Sequence, residues 1–491
     1  MERYQVVVIG GGAAGMTVAS GVASLGAKTA LIEKKDSLGG DCLHFGCVPS
    51  KALIKTANMV SGMFTTAEEL GFTVNGDLNF EQVKNRVNSA RNTIQEHDNT
   101  KRFTDMGVDI YFGGASFESS HEIKIGNGET IYGEKIVIAT GSQPVIPPIE
   151  GLKDSPFVTN ETIFDLPSLP KRLGVIGGGT IGLEMAQAFS RLGSDVMVFE
   201  GAGQIFTKED RDITRFMQNE LKNEFTIELN TTVKHVSYEN NEFELTVAKG
   251  SGTETVKVDT LLVAAGRKPA IDALALSKAG VEAVKGFIKT DASFRTSRTH
   301  IFAVGDTINT LPFTHAAGEE AKTVVSNVLF GLRNSLDHST TPWVTFTTPE
   351  VFHLGKTEQE AEEAGIEYKV YRAHLDEVDR FVTAHESRGF VKLITDKKGY
   401  IIGAHAAGTE AGEWMQLAVF AMKNKKKIGS LSRMVYSYPI KAGALQKAAD
   451  LYWREKLFDG PLPKLTKKFF ELKFRATSSG HEKTENDPEL N

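Results

Sequence analysis

The chain has 491 residues, a net charge of -6, 41% hydrophobic and 24% charged residues, and two cysteines. That length leaves room for two to four domains with sizeable cores, and the acidic balance excludes general nucleic-acid affinity, since no basic excess exists to neutralise phosphates. "MERYQVVVIGGG" lacks a charged and apolar leader pattern, and no run of about 18 apolar residues occurs, so the expectation is a cytoplasmic protein with neither signal peptide nor transmembrane helix.

The first element is the run 6–9 of "YQVVVIGGGAAGMTVASGVASLGAKTALIEK", apolar throughout, as in a strand buried on both faces. Gly10, Gly12 and Gly15 then form GxGxxG between a strand and a helix, and Glu33 ends the next strand. The first glycine permits the turn, the second lets backbone approach a pyrophosphate, and the third lets helix and strand pack closely. The free N–H groups of the helix N-terminus face the phosphate, and an acid at Glu33 can accept from ribose hydroxyls.

Next comes "GGDCLHFGCVPSK", residues 39–51, with both cysteines, Cys42 and Cys47. A disulfide between them could accept two electrons and pass them on by thiol–disulfide exchange. "VPSKALIKTANM" reads as a helix, and a thiolate near its N-terminus is stabilised. The other readings are two unrelated structural thiols, or half of a metal site that His44 alone does not complete. No metal site is expected.

A polar helical stretch follows over 79–105, then short strands in "VDIYFGGASFE" and "HEIKIGNG". The prolines of "KIVIATGSQPVIPPIEG" mark a crossing to a second domain. There the opening pattern returns in "KRLGVIGGGTIGLEMAQAFSRLGSDVMVFEG", where Gly177, Gly179, Gly182 and Glu200 repeat the four roles. Two dinucleotide sites imply a flavin and a nicotinamide, with a hydride passing between them. Glu200 favours NADH, because its carboxylate would repel the 2′-phosphate of NADPH and no arginine follows until Arg211. Strand candidates in "FTIELNTTVKHVSYE", "FELTVAKG", "DTLLVAAGRKP" and "IFAVGD" lead to a helical "THAAGEEAKTVVSNVLF". From about 338 the pattern changes to that of an antiparallel sheet flanked by helices.

The cysteine segment, in fixed order with both fingerprints, "ATGSQP", "AAGRKP", "IFAVGD" and "GYIIGAHAAG", resembles the class I pyridine nucleotide–disulfide oxidoreductases, over about residues 4 to 455. That family includes dihydrolipoyl dehydrogenase, glutathione reductase and mercuric reductase. The resemblance implies an α/β fold with a discontinuous FAD-binding domain (1–145 and 275–337), an inserted NAD-binding domain (146–274), an α+β dimerisation domain (338–455) and an extension (456–491). It implies a homodimer with a shared active site, using FAD and NADH. FAD would lie on the first fingerprint with Glu33, Gly40, Asp41, Lys51, Ala115, Gly141, Asp306 and Thr314; NAD would lie on the second with Glu200, Val233 and Gly266. Cys47 would be the flavin-facing sulfur that forms a charge-transfer thiolate, and Cys42 the interchange thiol. Lys51 and Glu184 would pair near the flavin and nicotinamide. "GRKPA" departs from the family at Ala270, where asparagine is usual.

A second departure touches the chemistry. Disulfide-reducing members carry His-Pro with a glutamate four residues after the proline, the His acting as general acid–base on a leaving thiolate. Here "VYSYPIKAGALQKAAD" has Tyr438 before Pro439, and Gly443 in place of the glutamate. A tyrosine with an ordinary pKa of about 10 is a poor base at neutral pH. Tyr438 resembles the mercuric-reductase branch, although that branch's extra C-terminal cysteine pair is missing. The expected acceptor is therefore a metal ion or another thiol-reactive oxidant, the alternatives being a dihydrolipoyl-dehydrogenase-like disulfide reductase or a flavoprotein partnered with a membrane or protein.

"KLTKKFFELKFR", 464–475, mixes five basic residues and one acidic with leucine and phenylalanine, and fits neither helix nor strand period cleanly. It reads as a packed extension or solvated tail, or as a contact with an anionic membrane surface. The polar end, "GHEKTENDPELN", reads as disordered.

Overall fold

A computed structural model describes residues 1–250 and 252–481. The chain divides into two compact units, Met1–Thr347 and Thr348–Asn491. The fold is α/β.

In the first unit, β1 (Glu2–Ile9), α1 (Ala13–Ser24) and β2 (Thr29–Glu33) form a parallel β–α–β unit. β1 and β2 pair in parallel with Val6 opposite Thr29 and Ile9 opposite Ile32. Val7, Val8 and Leu31 are fully buried, which is what their continuous apolar runs require. The chain then makes the one-turn helix α2 (Gly40–His44) and the long helix α3 (Cys47–Leu70). The stretch expected to be helical over 79–105 is two helices, Phe80–His97 and Thr100–Asp105, because Asn99 caps the second through the Arg102 amide. β3 (Val108–Phe112) adds beside β2, and β4 (Thr130–Ile138) beside β1. Between them, Ala115–Phe117 and Glu122–Ile125 extend the sheet antiparallel.

The repeat builds a second parallel sheet. β5 (Arg172–Ile176), α4 (Thr180–Leu192) and β6 (Asp195–Phe199) reproduce the first crossover, with Val175 opposite Val198. β7 (Thr226–Glu228) and β8 (Thr260–Val263) flank it, in the order β7, β6, β5, β8. An antiparallel meander over Thr231–Glu239, Glu242–Lys249 and Gly252–Val258 lies between β7 and β8 in the chain. β9 (Ile301–Ala303) then pairs with β4, so the chain returns to the first sheet, and α5 (Thr314–Phe330) follows.

The second unit holds an antiparallel sheet in the order Glu350–Gly355, Ile401–Gly408, Phe390–Asp396, Tyr368–His374. After the helix Gly443–Phe458 comes α6 (Leu462–His481). Segment 464–475 is thus helical, with Pro463 tolerated in the first turn where its missing N–H costs nothing. Of the polar end, Gly480 and His481 close α6, and residues 482–491 lie outside the described residues. Among the described residues no helix is long and apolar enough to cross a membrane.

Candidate active site

The two glycine turns are built alike. Gly10 and Gly177 sit at φ +108° and +114°, a region that disfavours side chains. A Cβ on Gly15 would fall 1.8 Å from the Gly10 carbonyl oxygen, and one on Gly182 would fall 2.0 Å from that of Gly177. Gly12 and Gly179 cap α1 and α4 with no side chain satisfying the first N–H groups. Around Gly179 a Cβ would meet nothing within 4 Å, so backbone there is open to approach.

Glu33 and Glu200 repeat the same bonds. Glu33 accepts from the Gly11 amide at 2.7 Å and from the Lys35 amide at 2.9 Å. Glu200 accepts from the Gly178 and Ala202 amides, each at 2.7 Å. Each carboxylate ties the end of its second strand to its glycine turn. Four acceptor positions per carboxylate leave capacity for ribose hydroxyls.

The cysteine segment lies against the first turn. The Gly39 amide donates to the Gly11 carbonyl at 2.9 Å, and a Cβ on Gly40 would fall 2.6 Å from the Gly12 Cα. Cys42 is half-buried in α2, and Cys47 is exposed as the first residue of α3. Both are thiols, and they share a hydrogen bond that holds the Cys47 pKa down to about 6, with help from the Thr314 hydroxyl and the Lys51 charge. The same bond, then burial, pushes the Cys42 thiol up. The polarity is that of a Cys47 thiolate accepting from a Cys42 thiol. Thr314 Oγ1 stands 3.5 Å from Cys47 Sγ.

One turn along α3, Lys51 Nζ reaches both Glu184 oxygens, at 2.9 and 3.2 Å. Glu184 is buried on α4 and also accepts from the Phe346 amide at 2.8 Å, while Lys51 Nζ lies 4.4 Å from the centre of the Phe346 ring. The structure therefore brings Cys42, Cys47, Lys51, Glu184 and Thr314 together.

Asp306 accepts from the Ser142 hydroxyl at 2.5 Å, and burial raises its pKa. Arg267 donates to Ser142 Oγ at 2.8 Å, to Asn160 Oδ1 at 3.2 Å, and pairs with Asp41 at 3.2 Å. Asn160 donates in turn to Asp41 and to the Phe45 carbonyl, each at 3.3 Å. This network joins Asp306 and Asp41 to the turn that carries Cys42. Buried Glu320 accepts from the Gly305 amide at 2.6 Å and faces His338 at 3.0 Å. Gly141, at φ +67°, accepts from the Ala270 amide at 2.9 Å, so the alanine in the place of asparagine keeps its backbone anchor.

The remaining expected residues are spread out. Ala115 begins an antiparallel strand. Val233 is buried in the core of the meander, which leaves its backbone as the part able to face a ligand. Gly266, at φ +120°, accepts from the Val145 amide. Tyr438 lies in the second unit, 80% exposed, donating to Asp379 at 2.6 Å; that bond raises its pKa above the tyrosine value.

Phe346, Ser142, Asn160, Arg267 and Glu320 are missing from the sequence reading. Ser142 and Arg267 stand in the motifs "ATGSQP" and "AAGRKP", which could have pointed to them. Phe346, Asn160 and Glu320 carry no such mark.

The residues present fit a flavin dinucleotide. The glycine turn has the close approaches described above, the α1 N-terminus has open N–H groups, and the buried Thr140 hydroxyl beside Gly10 has no protein partner among the described residues.

Residues 4–321 match the family described as pyridine nucleotide-disulphide oxidoreductase, and 341–449 match its dimerisation domain. Dihydrolipoyl dehydrogenase of Trypanosoma brucei brucei is 32% identical over 457 residues, which cover 91% of this chain and 95% of that protein. Mercuric reductase of Lysinibacillus sphaericus is 30% identical over 459 residues, covering 91% and 82%. The probable pyridine nucleotide-disulfide oxidoreductase RclA of Escherichia coli is 31% identical over 450 residues, covering 89% and 97%. A solved Cu(II) complex of RclA, an HOCl-induced flavoprotein disulfide reductase, superposes with a TM-score of 0.83 at 29% identity, covering 92% of this chain and 100% of that one.

Proposed function

Because the chain belongs to the pyridine nucleotide-disulphide oxidoreductase family, and is thereby a homodimeric FAD- and NAD(P)H-using disulfide oxidoreductase, we propose that it reduces a thiophilic metal ion or another thiol-reactive oxidant. FAD, when bound, supplies two-electron chemistry between a nicotinamide and the cysteine pair. Cys47 is the sulfur that faces the flavin, held as a thiolate by Cys42, Thr314 and Lys51. Cys42 is the sulfur that meets the acceptor. Glu184 fixes the Lys51 ammonium where it balances negative charge on the neighbouring groups. Gly12 and Glu33 hold one dinucleotide; Gly179 and Glu200 hold the other, NADH in preference to NADPH. Segments 1–145 and 275–337 form the FAD domain, 146–274 the NAD domain, and 338–455 the interface domain.

The observation that carries the choice of acceptor is Tyr438. Its hydroxyl donates to Asp379, which raises its pKa above the ordinary tyrosine value, so at neutral pH it neither takes a proton nor readily gives one to a departing thiolate. A disulfide acceptor needs a proton for each departing thiolate. A metal ion does not: the dithiol closes to a disulfide, releases two protons, and reduces two Cu(II) to Cu(I) or one Hg(II) to Hg(0). The Cu(II) complex of RclA makes copper the first ion to try.

The test is steady-state oxidation of NADH and NADPH by the holoenzyme with Cu(II), Hg(II), lipoamide, glutathione disulfide and quinones. Turnover with a metal ion at least tenfold above either disulfide, lost in Cys42→Ser, is expected. Fast turnover with lipoamide or glutathione disulfide overturns the reading. A second reading, electron delivery at a membrane surface, is favoured by the helical form of 464–475.

A further inference from the structure

Helix α6 follows the part of the chain that matches the family's domains, which ends at residue 449. It is long enough, at 1.5 Å per residue, to run about 30 Å. All its side chains from Lys464 to Arg475 are exposed, including Leu465 at 61%, Phe469 at 59%, Phe470 at 63% and Leu472 at 58%. Large apolar side chains left so exposed in succession mark a surface that something covers.

Their arrangement identifies the cover. At 3.6 residues per turn, Leu462, Leu465, Phe469 and Leu472 fall in one stripe about 80° wide. Lys464, Lys467, Lys468 and Arg475 fall in an arc about 100° wide centred about 130° from the stripe, with Glu471 among them. Phe470 lies about 80° from the Leu462 edge of the stripe, and Phe474, 75% exposed, about 120° from it, bordering the basic arc at Lys467. Lys473 alone lies beside the stripe, where a long stem can carry its ammonium to the rim. A basic face of this kind, in a chain of net charge -6, calls for an anionic partner. The apolar stripe needs a partner that also removes it from water, which a nucleic acid does not do. The surface of a bilayer does both.

We propose that α6 is an interfacial anchor, lying in the plane of an anionic phospholipid surface with Leu462, Leu465, Phe469 and Leu472 dipped below the headgroups and Lys464, Lys467 and Lys468 held among them. The depth of such a contact is about 5–10 Å, so the helix sits on the membrane without crossing it. The inference concerns where the enzyme works and stands apart from which acceptor it reduces.

The experiment is co-sedimentation of the full-length holoprotein with large vesicles of phosphatidylcholine, alone or with about one third phosphatidylglycerol. Partition onto the anionic vesicles is expected, weakening with added salt, with little onto the neutral ones. Each lysine near an anionic surface contributes about fivefold. Lys464→Glu/Lys467→Glu/Lys468→Glu should therefore cut the partition at least about a hundredfold, and Phe469→Ser/Leu472→Ser should abolish it. FAD content and NADH oxidation of both variants should stay as in the parent, which shows that they fold. No binding to anionic vesicles overturns the proposal, as does binding that the variants leave unchanged. If Phe469→Ser/Leu472→Ser instead turns the dimer into monomers in light scattering, a second copy covers the stripe, and the proposal is wrong.

Discussion

Removing Cys42 in two different ways isolates what sets the reactivity of Cys47. The strongest influence on Cys47 is the hydrogen bond from Cys42, ahead of the Thr314 hydroxyl and the Lys51 charge. Cys42→Ser keeps a hydroxyl donor in place; Cys42→Ala removes it. A hydrogen bond to a charged acceptor contributes about 1.5–3 kcal/mol, and one pKa unit is about 1.4 kcal/mol, which gives about one to two units. Cys47 is exposed, so solvent screening puts the difference at the low end, about one unit. In the holoprotein, each variant has Cys47 as its only thiol, and its rate of alkylation by iodoacetamide is followed from pH 4.5 to 9.5. The serine variant should show its inflection near about 6, as expected with both cysteines present, and the alanine variant about one unit higher. Equal inflections, or one near 8.5 in both, would refute the reasoning. Stability carries the same sign. A thiol whose folded pKa lies below its unfolded value of about 8.5 contributes stability that is fully present above that pH. The contribution is lost as pH falls through about 6.

Other expectations follow from the same geometry. Gly15→Ala, whose Cβ would sit 1.8 Å from a carbonyl oxygen, should yield protein without bound FAD, whereas Gly182→Ala should keep FAD and weaken NADH binding at least tenfold by titration. The opposite pairing would reverse the two assigned sites. Lys51→Met leaves the Glu184 carboxylate buried without its cation; a loss of about 2 kcal/mol in chemical unfolding is expected, below the usual cost for a buried pair because Lys51 is partly exposed. The Cys47 inflection should rise with it, and an unmoved inflection would remove Lys51 from the thiolate's surroundings. Arg267→Lys cannot reach Ser142, Asn160 and Asp41 together. Faster hydrogen exchange over residues 39–47 is expected, and unchanged exchange would show that the network does not hold the cysteine turn.

Much of the site was legible because its chemistry requires residues close together in the chain. The glycine turns need three glycines and an acid at set spacings, and the relay needs two thiols beside a helix start. What the spacing does not carry is how Glu33 and Glu200 are used. Each was placed at a ribose, and each also holds the amide of the middle glycine, Gly11 or Gly178, in its own turn. Contacts across the fold were less legible. Thr314 was placed beside the flavin, but its bond to a sulfur 267 residues away depends on how α5 meets α3. Phe346 lies under Lys51 with nothing in its neighbours to announce it. The helical form of 464–475 was not legible because Lys473, Phe470 and Phe474 blur the period within twelve residues. Starting the helix at Leu462 adds the apolar position that defines the stripe.

The cysteine relay and the departure from the family at Tyr438 and Gly443 bear on different quantities, and so can be separated. The Cys42–Cys47 pair, with Lys51, Glu184 and Thr314, lies wholly in the first unit and sets how readily the dithiol forms its thiolate. Tyr438 and Gly443 lie in the second unit and are the positions we propose to decide what the dithiol can reduce. Tyr438→His/Gly443→Glu should therefore leave the Cys47 inflection near pH 6 while raising lipoamide turnover, since it supplies the missing acid–base. Tyr438→Phe breaks the bond to Asp379 and should leave both metal-ion turnover and the inflection unmoved, since the metal reaction needs no acid–base there. If the double variant gains no disulfide turnover while keeping its thiolate, the absent histidine is not what selects the acceptor. The selection would then lie in how Cys42 itself is reached.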